Sequence, residues 1–382
     1  MSTLIRSTEA AAILNVSKPT LYAYVSRGRL TRTTAADGRT SLFARDEVEQ
    51  LAQRSRRTPS GPRPTIDVQI SSGVTAIDEH ALSYRGADTV ELAATHTFED
   101  VAEFLWSDSD NACRSTVWPS VDLTTRAALE PIDDVSLTPI GRMATAAHVL
   151  GGLHPNDVPA EAARRLLVAV PLVLGSTRRT GPYAHRLVGA WRRRPSAQLV
   201  DAIDTALVLL ADHELATSTL AVRIAASVRT SAYAGLAAGL ATIEGVLHGS
   251  AAVEVSRFLA ACSESEPAVV VARFRANRAP VPGFGHKVYR GVDPRFPLLA
   301  DHVRCLDPTE ADLLDAVVGE AGRVIAQQPN VDLALGALTR AAGLEAETPI
   351  FAVARIAGWA AHFTEELQER PLRFRGVATP AC

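Results

Sequence analysis

Leu199, Val200, Ile203, Ala206, Leu207 and Leu210 recur at intervals of three and four up to Asp212 and His213, which places them on one face of a helix. Alanine and leucine keep this spacing through most of the chain. Long alternating runs of the strand type are scarce, so the pattern predicts a mostly α fold. The pattern breaks at Arg56–Thr65, where three prolines, a glycine and several arginines cannot propagate a helix and read as a linker.

Ahead of that linker, Ser7–Asn15 reads as a short helix, Val16 and Ser17 as a turn, and Thr20–Arg27 as a second helix. Ser17 is the expected N-cap and Pro19 falls in the first turn. Asp37-Gly38 signals a hairpin between Leu30–Thr34 and Arg39–Phe43, and Asp46 with Glu49 suits the start of a third helix running through Leu51. The order helix, helix, wing, helix resembles the excisionase or MerR-like winged helix-turn-helix family, whose second helix reads DNA. The resemblance implies DNA as a partner, met by Lys18, Thr20, Tyr22 and Arg27, with Tyr24, Arg29, Arg32 and Arg39 as further phosphate contacts. A docking or dimerisation element with solvated arginines is the other reading of the same residues.

Charge sharpens the division. The net charge of −3 combines a surplus of about +6 over residues 1–64 with about −9 over the remainder, so the basic part is the small N-terminal one. With 47% apolar residues, 382 positions suffice for a large core and for two or three domains. No charge-free apolar run approaches the roughly 18–20 residues that span a bilayer, and the first residues lack a signal-peptide pattern, so the expected location is cytoplasmic, away from any membrane. Cys113, Cys262, Cys305 and Cys382 are too scattered for a zinc site or a disulfide framework, and no metal is expected.

Four later segments carry chemistry. Asp212-His213-Glu214-Leu215 closes the helix described above. Leu247-His248-Gly249-Ser250-Ala251 puts a histidine at a glycine-bearing turn before a helix, where the helix dipole is expected to keep the imidazole neutral. Pro282-Gly283-Phe284-Gly285-His286 has two glycines in three residues, which permits a tight loop close to a ligand, and it continues through Arg290 to Asp293-Pro294-Arg295. Asn330-Val331-Asp332 offers a carboxylate as general base, and Phe351-Ala352-Val353-Ala354-Arg355 offers a guanidinium suited to a bidentate carboxylate bond.

In this order and spacing, and with the opening segment Tyr84-Arg85-Gly86, Val90–Ala93 and Phe98–Ala102, these motifs resemble the citrate synthase family (citrate and 2-methylcitrate synthases) from about Ile70 to Arg375. The resemblance implies a citrate synthase fold behind the winged helix-turn-helix domain. Its domains would be residues 1–55, a linker at 56–69, a large domain at 70–251 and 344–382, and a small mobile domain at 252–343. It implies His248, His286 and Asp332 as catalytic residues, and His213, Arg295 and Arg355 as oxaloacetate ligands. Arg290 would meet coenzyme A, and Arg375 would be lent to the partner site of a homodimer, with Arg370 as the competing alignment. Acetyl-CoA is the expected acyl donor, propionyl-CoA the alternative, and no cofactor is implied. The sequence departs from the family at Ala216 in place of asparagine, at Ser250 in place of glycine, and at Gly376, where proline usually follows the arginine. A regulator whose synthase-like body senses metabolites is the second functional expectation.

Overall fold

The computed structural model describes residues 4–14, 21, 25, 30–35, 40–45, 47–48, 69–107, 117–134, 136–245, 248–249 and 251–375. It divides into two compact units, Met1–Ile70 and Ser71–Cys382, which places the boundary at the end of the proline-rich segment.

In the first unit β1 (Leu4–Arg6) leads directly into α1 (Ser7–Leu14), and β2 (Thr33–Thr34) pairs antiparallel with β3 (Ser41–Ala44). The sheet order is β1-β3-β2, with Ile5 opposite Phe43 and Thr33 opposite Leu42. The expected hairpin is therefore present, but its first strand holds only Thr33 and Thr34 rather than Leu30–Thr34. β1 was not expected: three residues are too few to display a period. Ile5, Ala10, Ala11, Leu21, Leu30, Phe43 and Val48 form a small core of their own. Lys18, Thr20, Tyr22 and Arg27, and the turn residues Asp37 and Gly38, lie outside the described residues.

The second unit opens with a three-stranded antiparallel sheet of β4 (Thr75–Ile77), β5 (Leu82–Tyr84) and β6 (Ala87–Asp88), and is otherwise helical. In chain order the helices are α2 (Thr89–Thr95), α3 (Phe98–Trp106), α4 (Leu123–Leu129), α5 (Pro139–Leu153), α6 (Pro159–Val173), α7 (Tyr183–Val188), α8 (Ala197–Leu210) and α9 (Thr217–Ser227). They continue as α10 (Ala232–Ile243), α11 (Ala251–Glu264), α12 (Pro267–Ala276), α13 (Phe296–Leu306), α14 (Pro308–Val324), α15 (Val331–Ala341) and α16 (Ile350–Gln368). Their starts are written locally. Asp88 accepts from the N–H groups of Val90 and Glu91, Thr97 with Asp100 forms a capping box, and Asn330 accepts from Asp332 and Leu333.

α16 is the spine. Every residue from Ala352 to Phe363 is buried, so no side of it faces solvent there, as expected of a helix enclosed by α3, α6, α8, α9 and α10. α10 approaches closely because Gly235 and Gly239 face it: a Cβ at these positions would sit 2.4 Å from the Phe363 ring and 2.9 Å from that of Trp359. α11 to α15 pack on one another beyond this core, α15 against α11 and α13. No helix among the described residues is long and apolar enough to cross a membrane.

One polar chain runs through the apolar core. The buried Asp212 carboxylate accepts from Thr75 Oγ1 (2.6 Å) and from His362 Nε2 (3.1 Å). His362 Nδ1 in turn faces Arg223 Nη1 (3.2 Å), and Arg223 also binds Glu365 (2.5 Å) and Glu366 (2.9 Å). Arg373, beyond the end of α16, closes the chain with two bonds to Glu366, at 2.6 and 2.7 Å.

Candidate active site

His213 stands in the turn between α8 and α9. Tyr84 of β5 holds this turn: its hydroxyl lies 3.0 Å from the Val208 carbonyl and accepts the Asp212 N–H at 3.2 Å. Glu214 adopts φ +51°, a left-handed conformation that costs a non-glycine residue about 1 kcal/mol or more and is kept here by the tied turn. Gly358 donates its N–H to the Ala211 carbonyl, and a Cβ there would meet Asp212 Oδ1 at 2.2 Å, so only glycine lets α16 pass this turn.

The glycine loop behaves as its sequence predicts. Gly283 and Gly285 have φ of +80° and +85°. The Asn330 N–H donates to the Gly283 carbonyl (3.0 Å), Asn330 Nδ2 to that of Gly285 (2.9 Å), and the Gly285 N–H to that of Gln328 (2.8 Å). These bonds fasten the loop that carries His286 to the loop that starts α15 and carries Asp332. Asp293 adds a further tie, accepting from the Val331 N–H at 3.1 Å while binding Arg295 through two bonds of 2.8 and 2.9 Å.

The rings then gather. His213 and His286 lie 5.0 Å apart and nearly perpendicular, and Tyr289 stacks on His286 at 4.5 Å. The Tyr289 hydroxyl is 3.3 Å from His213 Nε2, and Arg295 Cζ lies 5.8 Å from the Tyr289 ring. Tyr289 went unrecognised in the sequence although it sits between His286 and Asp293; a buried tyrosine in a glycine loop gives no signal apart from its neighbours.

Hydrogen bonds assign the imidazole protons. The N–H groups of Val288 and Tyr289 both donate to His286 Nδ1, at 3.1 and 3.2 Å, so the neutral ring carries its proton on Nε2. Ser218 donates its N–H to His248 Nε2 (3.3 Å) with its hydroxyl at 2.8 Å, so that ring carries its proton on Nδ1. Burial, and then the Arg355 charge, push the His248 pKa down; burial and then Arg295 do the same for His286. His213 is held well below its ordinary value by burial and by Arg295, Arg355 and His286. His248 lies in the turn ahead of α11, where its motif placed it, and burial is the first cause of its lowered pKa.

Burial also raises the Asp332 carboxyl, with Asp293 adding to the shift and Arg295 and Arg355 opposing it. Arg355 is buried between Leu210, whose carbonyl it binds through Nε (3.2 Å), and the Phe351 ring, 4.6 Å from Cζ. Its Nη1 has no partner among the described residues, an unmet donor in a buried position. Arg290 is exposed and pairs with Glu79 at 3.5 Å, and Arg375 is exposed in the terminal segment; neither joins the cluster. Among the described residues no group of His, Cys, Asp and Glu could hold a metal ion.

Residues 67–375 match the family profile described as citrate synthase, C-terminal domain. The chain belongs to the citrate synthase family. It is a transferase of the citrate synthase type, and residues 4–56 separately match a helix-turn-helix domain profile. Relatives include a 2-methylcitrate synthase of Mycobacterium tuberculosis, 27% identical over 81% of this chain and 90% of its own. A citrate synthase of Synechocystis is 30% identical over 75% of this chain and 81% of its own. The fold is shared with the citrate synthase of Thermoplasma acidophilum solved with carboxymethyl coenzyme A and oxaloacetate. That likeness has a TM-score of 0.69 at 23% identity, over 83% of this chain and 95% of that one. Within this family the structure gathers His213, His286, Arg295 and Tyr289, with Arg355 and Asp332 near enough for their charges to act on one another.

Proposed function

We propose that the protein is a citrate synthase, condensing acetyl-CoA with oxaloacetate and water to give citrate and coenzyme A at the entry to the tricarboxylic acid cycle. One observation supports this reading: the Arg355 charge acts on His213, His248 and Asp332 alike, and His213 lies 5.0 Å from His286. Asp332 removes a proton from the acyl methyl group while His248 Nδ1–H donates to the thioester oxygen, so the enol forms without a free enolate. The enol carbon attacks the oxaloacetate carbonyl, His286 Nε2–H supplies the proton to the new hydroxyl, and water then cleaves the thioester.

Arg355, with its unmet Nη1, and His213 are the ligands proposed for oxaloacetate. Arg295, two of whose N–H groups already face Asp293, would contribute its charge and any remaining donor. Arg290 at the exposed surface is proposed for coenzyme A. Residues 252–343 are proposed as a small domain that closes over the reactants and excludes water, supported by the mutual packing of α11 to α15. Assembly as a two-fold dimer, with Arg375 lent across to the partner site, is proposed as well.

The test is thiol release by the purified protein, with and without oxaloacetate; release without it, or none with it, refutes the reading. Its pH profile is a further expected result. Asp332 works only when ionised, so the rate falls as pH drops through its raised pKa, above the 3.8 of an ordinary aspartate. An acid limb centred at or below the ordinary aspartate value of 3.8 would contradict the assignment.

The helix-turn-helix profile match and the basic surplus of residues 1–64 favour a second role, regulation of transcription with the synthase body as metabolite sensor. A sequence-selective DNA shift that weakens steeply with salt is its expected result, and no shift at low salt would remove it.

A further inference from the structure

The residues from Ala162 to Val200 hold eight arginines, no lysine, and no aspartate or glutamate, within a part of the chain whose net charge is about −9. Such a stretch finds its counter-charges elsewhere in the fold or in a partner. Four of the eight are taken up by the fold. Arg164 pairs with Glu103 (2.6 Å) and Arg165 with Asp157 (2.9 Å), Arg192 grips the carbonyls of Ala342 and Gly343, and the buried Arg186 bonds the Pro119 carbonyl (3.3 Å). The other four, Arg178, Arg179, Arg193 and Arg194, meet no carboxylate among the described residues. Arg178 bonds the Arg193 carbonyl (3.3 Å) and Arg179 that of Ser176 (3.0 Å). Asp201, the first carboxylate to follow them in the chain, faces His302 instead (3.9 Å).

The fold brings these four together. Arg178 and Arg179 lie in the loop before α7, Arg193 and Arg194 in the loop after it, and that helix of six residues spans only about 9 Å. Gly189 lets the two loops touch, since a Cβ there would sit 2.7 Å from Arg178 Cδ. Arg179, Arg193 and Arg194 are exposed and Arg178 is half-buried. Arg126 of α4 adds a fifth cation: burial and then its charge push the Arg179 pKa down.

Such a surface suits phosphates. Guanidinium forks meet phosphate oxygens bidentately, and the exposed hydroxyls of Thr177 and Thr180 in the same loop are further donors. Tyr183 is buried and Trp191 packs against the core, so neither ring offers an unpaired base a platform for stacking. A double-stranded backbone fits better than a single strand. The helix-turn-helix profile match of residues 4–56 favours duplex DNA over an acidic protein. We infer that this arginine surface of the synthase body binds the phosphate backbone of duplex DNA without reading its sequence. The inference rests on the regulator reading above for its choice of partner, and adds a contact surface outside the N-terminal part. It supplies salt-sensitive affinity, while sequence preference stays with residues 1–64.

The experiment follows the fluorescence anisotropy of a labelled random-sequence duplex as the full chain is added, between about 50 and 200 mM salt. The wild type is compared with a variant carrying Arg178→Gln, Arg179→Gln, Arg193→Gln and Arg194→Gln together, which removes charge and keeps most of each side chain's length. Each lost phosphate contact lowers the slope of log K against log salt by about 0.9. The slope is therefore expected to shrink by about 3–4, and affinity at the low-salt end to fall at least about tenfold. An unchanged slope and affinity overturns the inference and leaves the regulator reading standing, with residues 1–64 as the DNA contact. A variant that loses binding to phosphatidylserine vesicles while keeping the duplex overturns it as well. No binding of the duplex by the wild type at low salt overturns both readings. If the fourfold variant does not fold, judged by circular dichroism, Arg193→Gln with Arg194→Gln decides, with an expected shrinkage of about 2.

Discussion

Asp332→Asn protein is expected to release thiol about 10²–10⁴-fold more slowly than the wild type under saturating acetyl-CoA and oxaloacetate. Asparagine preserves size and the helix start, where Asn330 and not Asp332 supplies the cap, so the change removes basicity and little else. The buried position makes that basicity matter. A carboxylate whose pKa is raised by burial is a stronger base than one in water, and the carbon acid it must deprotonate is far weaker than a carboxylic acid. Binding of labelled oxaloacetate, measured by equilibrium dialysis, is expected to persist, since the proposed ligands are His213 and Arg355. A variant rate within about tenfold of wild type would place the base elsewhere.

Arg223→Leu is expected to lower the free energy of unfolding by about 3–5 kcal/mol, because it strands carboxylates in the core. Arg223 is fully buried and holds Glu365, Glu366 and the ring of His362 together. Arg373 keeps Glu366 partly paired, which places the loss towards the lower end of that range. Lysine at the same position restores charge but not the forked geometry, so Arg223→Lys should recover only part of the loss. Denaturant midpoints and slopes for the three proteins measure this. An unchanged midpoint in the leucine variant would show that the ion network adds nothing to an apolar replacement, as buried networks sometimes do.

Most of the helical body could be read from the sequence because its signals are local. The stripe from Leu199 to Leu210 is α8 to within two residues, and Asn330 at the start of the Asn330-Val331-Asp332 motif proves to be a helix cap. The glycine loop was legible for the same reason: both glycines have the positive φ their spacing required. What was not legible is long-range. Asp212, His362 and Arg223 meet across 139 to 150 positions, and within α16 His362 lies among apolar residues with no local mark of its partners. Ser218, which fixes the proton on His248, is 30 positions from it and looks like any helix-start serine. The terminal segment was read through Arg375, yet Arg373 is the arginine there that the core holds, because pairing with Glu366 depends on where α16 ends.

Arg192 reaches from the loop before α8 to the carbonyls of Ala342 (2.5 Å) and Gly343, gripping the C-terminal end of α15. Asp332 rides on the opposite end, where Asn330 and Asp293 tie the start of the helix. Eleven positions at about 1.5 Å each put about 16 Å between grip and carboxylate. α15 is thus fastened at both ends, and a displacement of the carboxylate by about 1 Å, which can change a rate by about 10²-fold, has to break one of these ties.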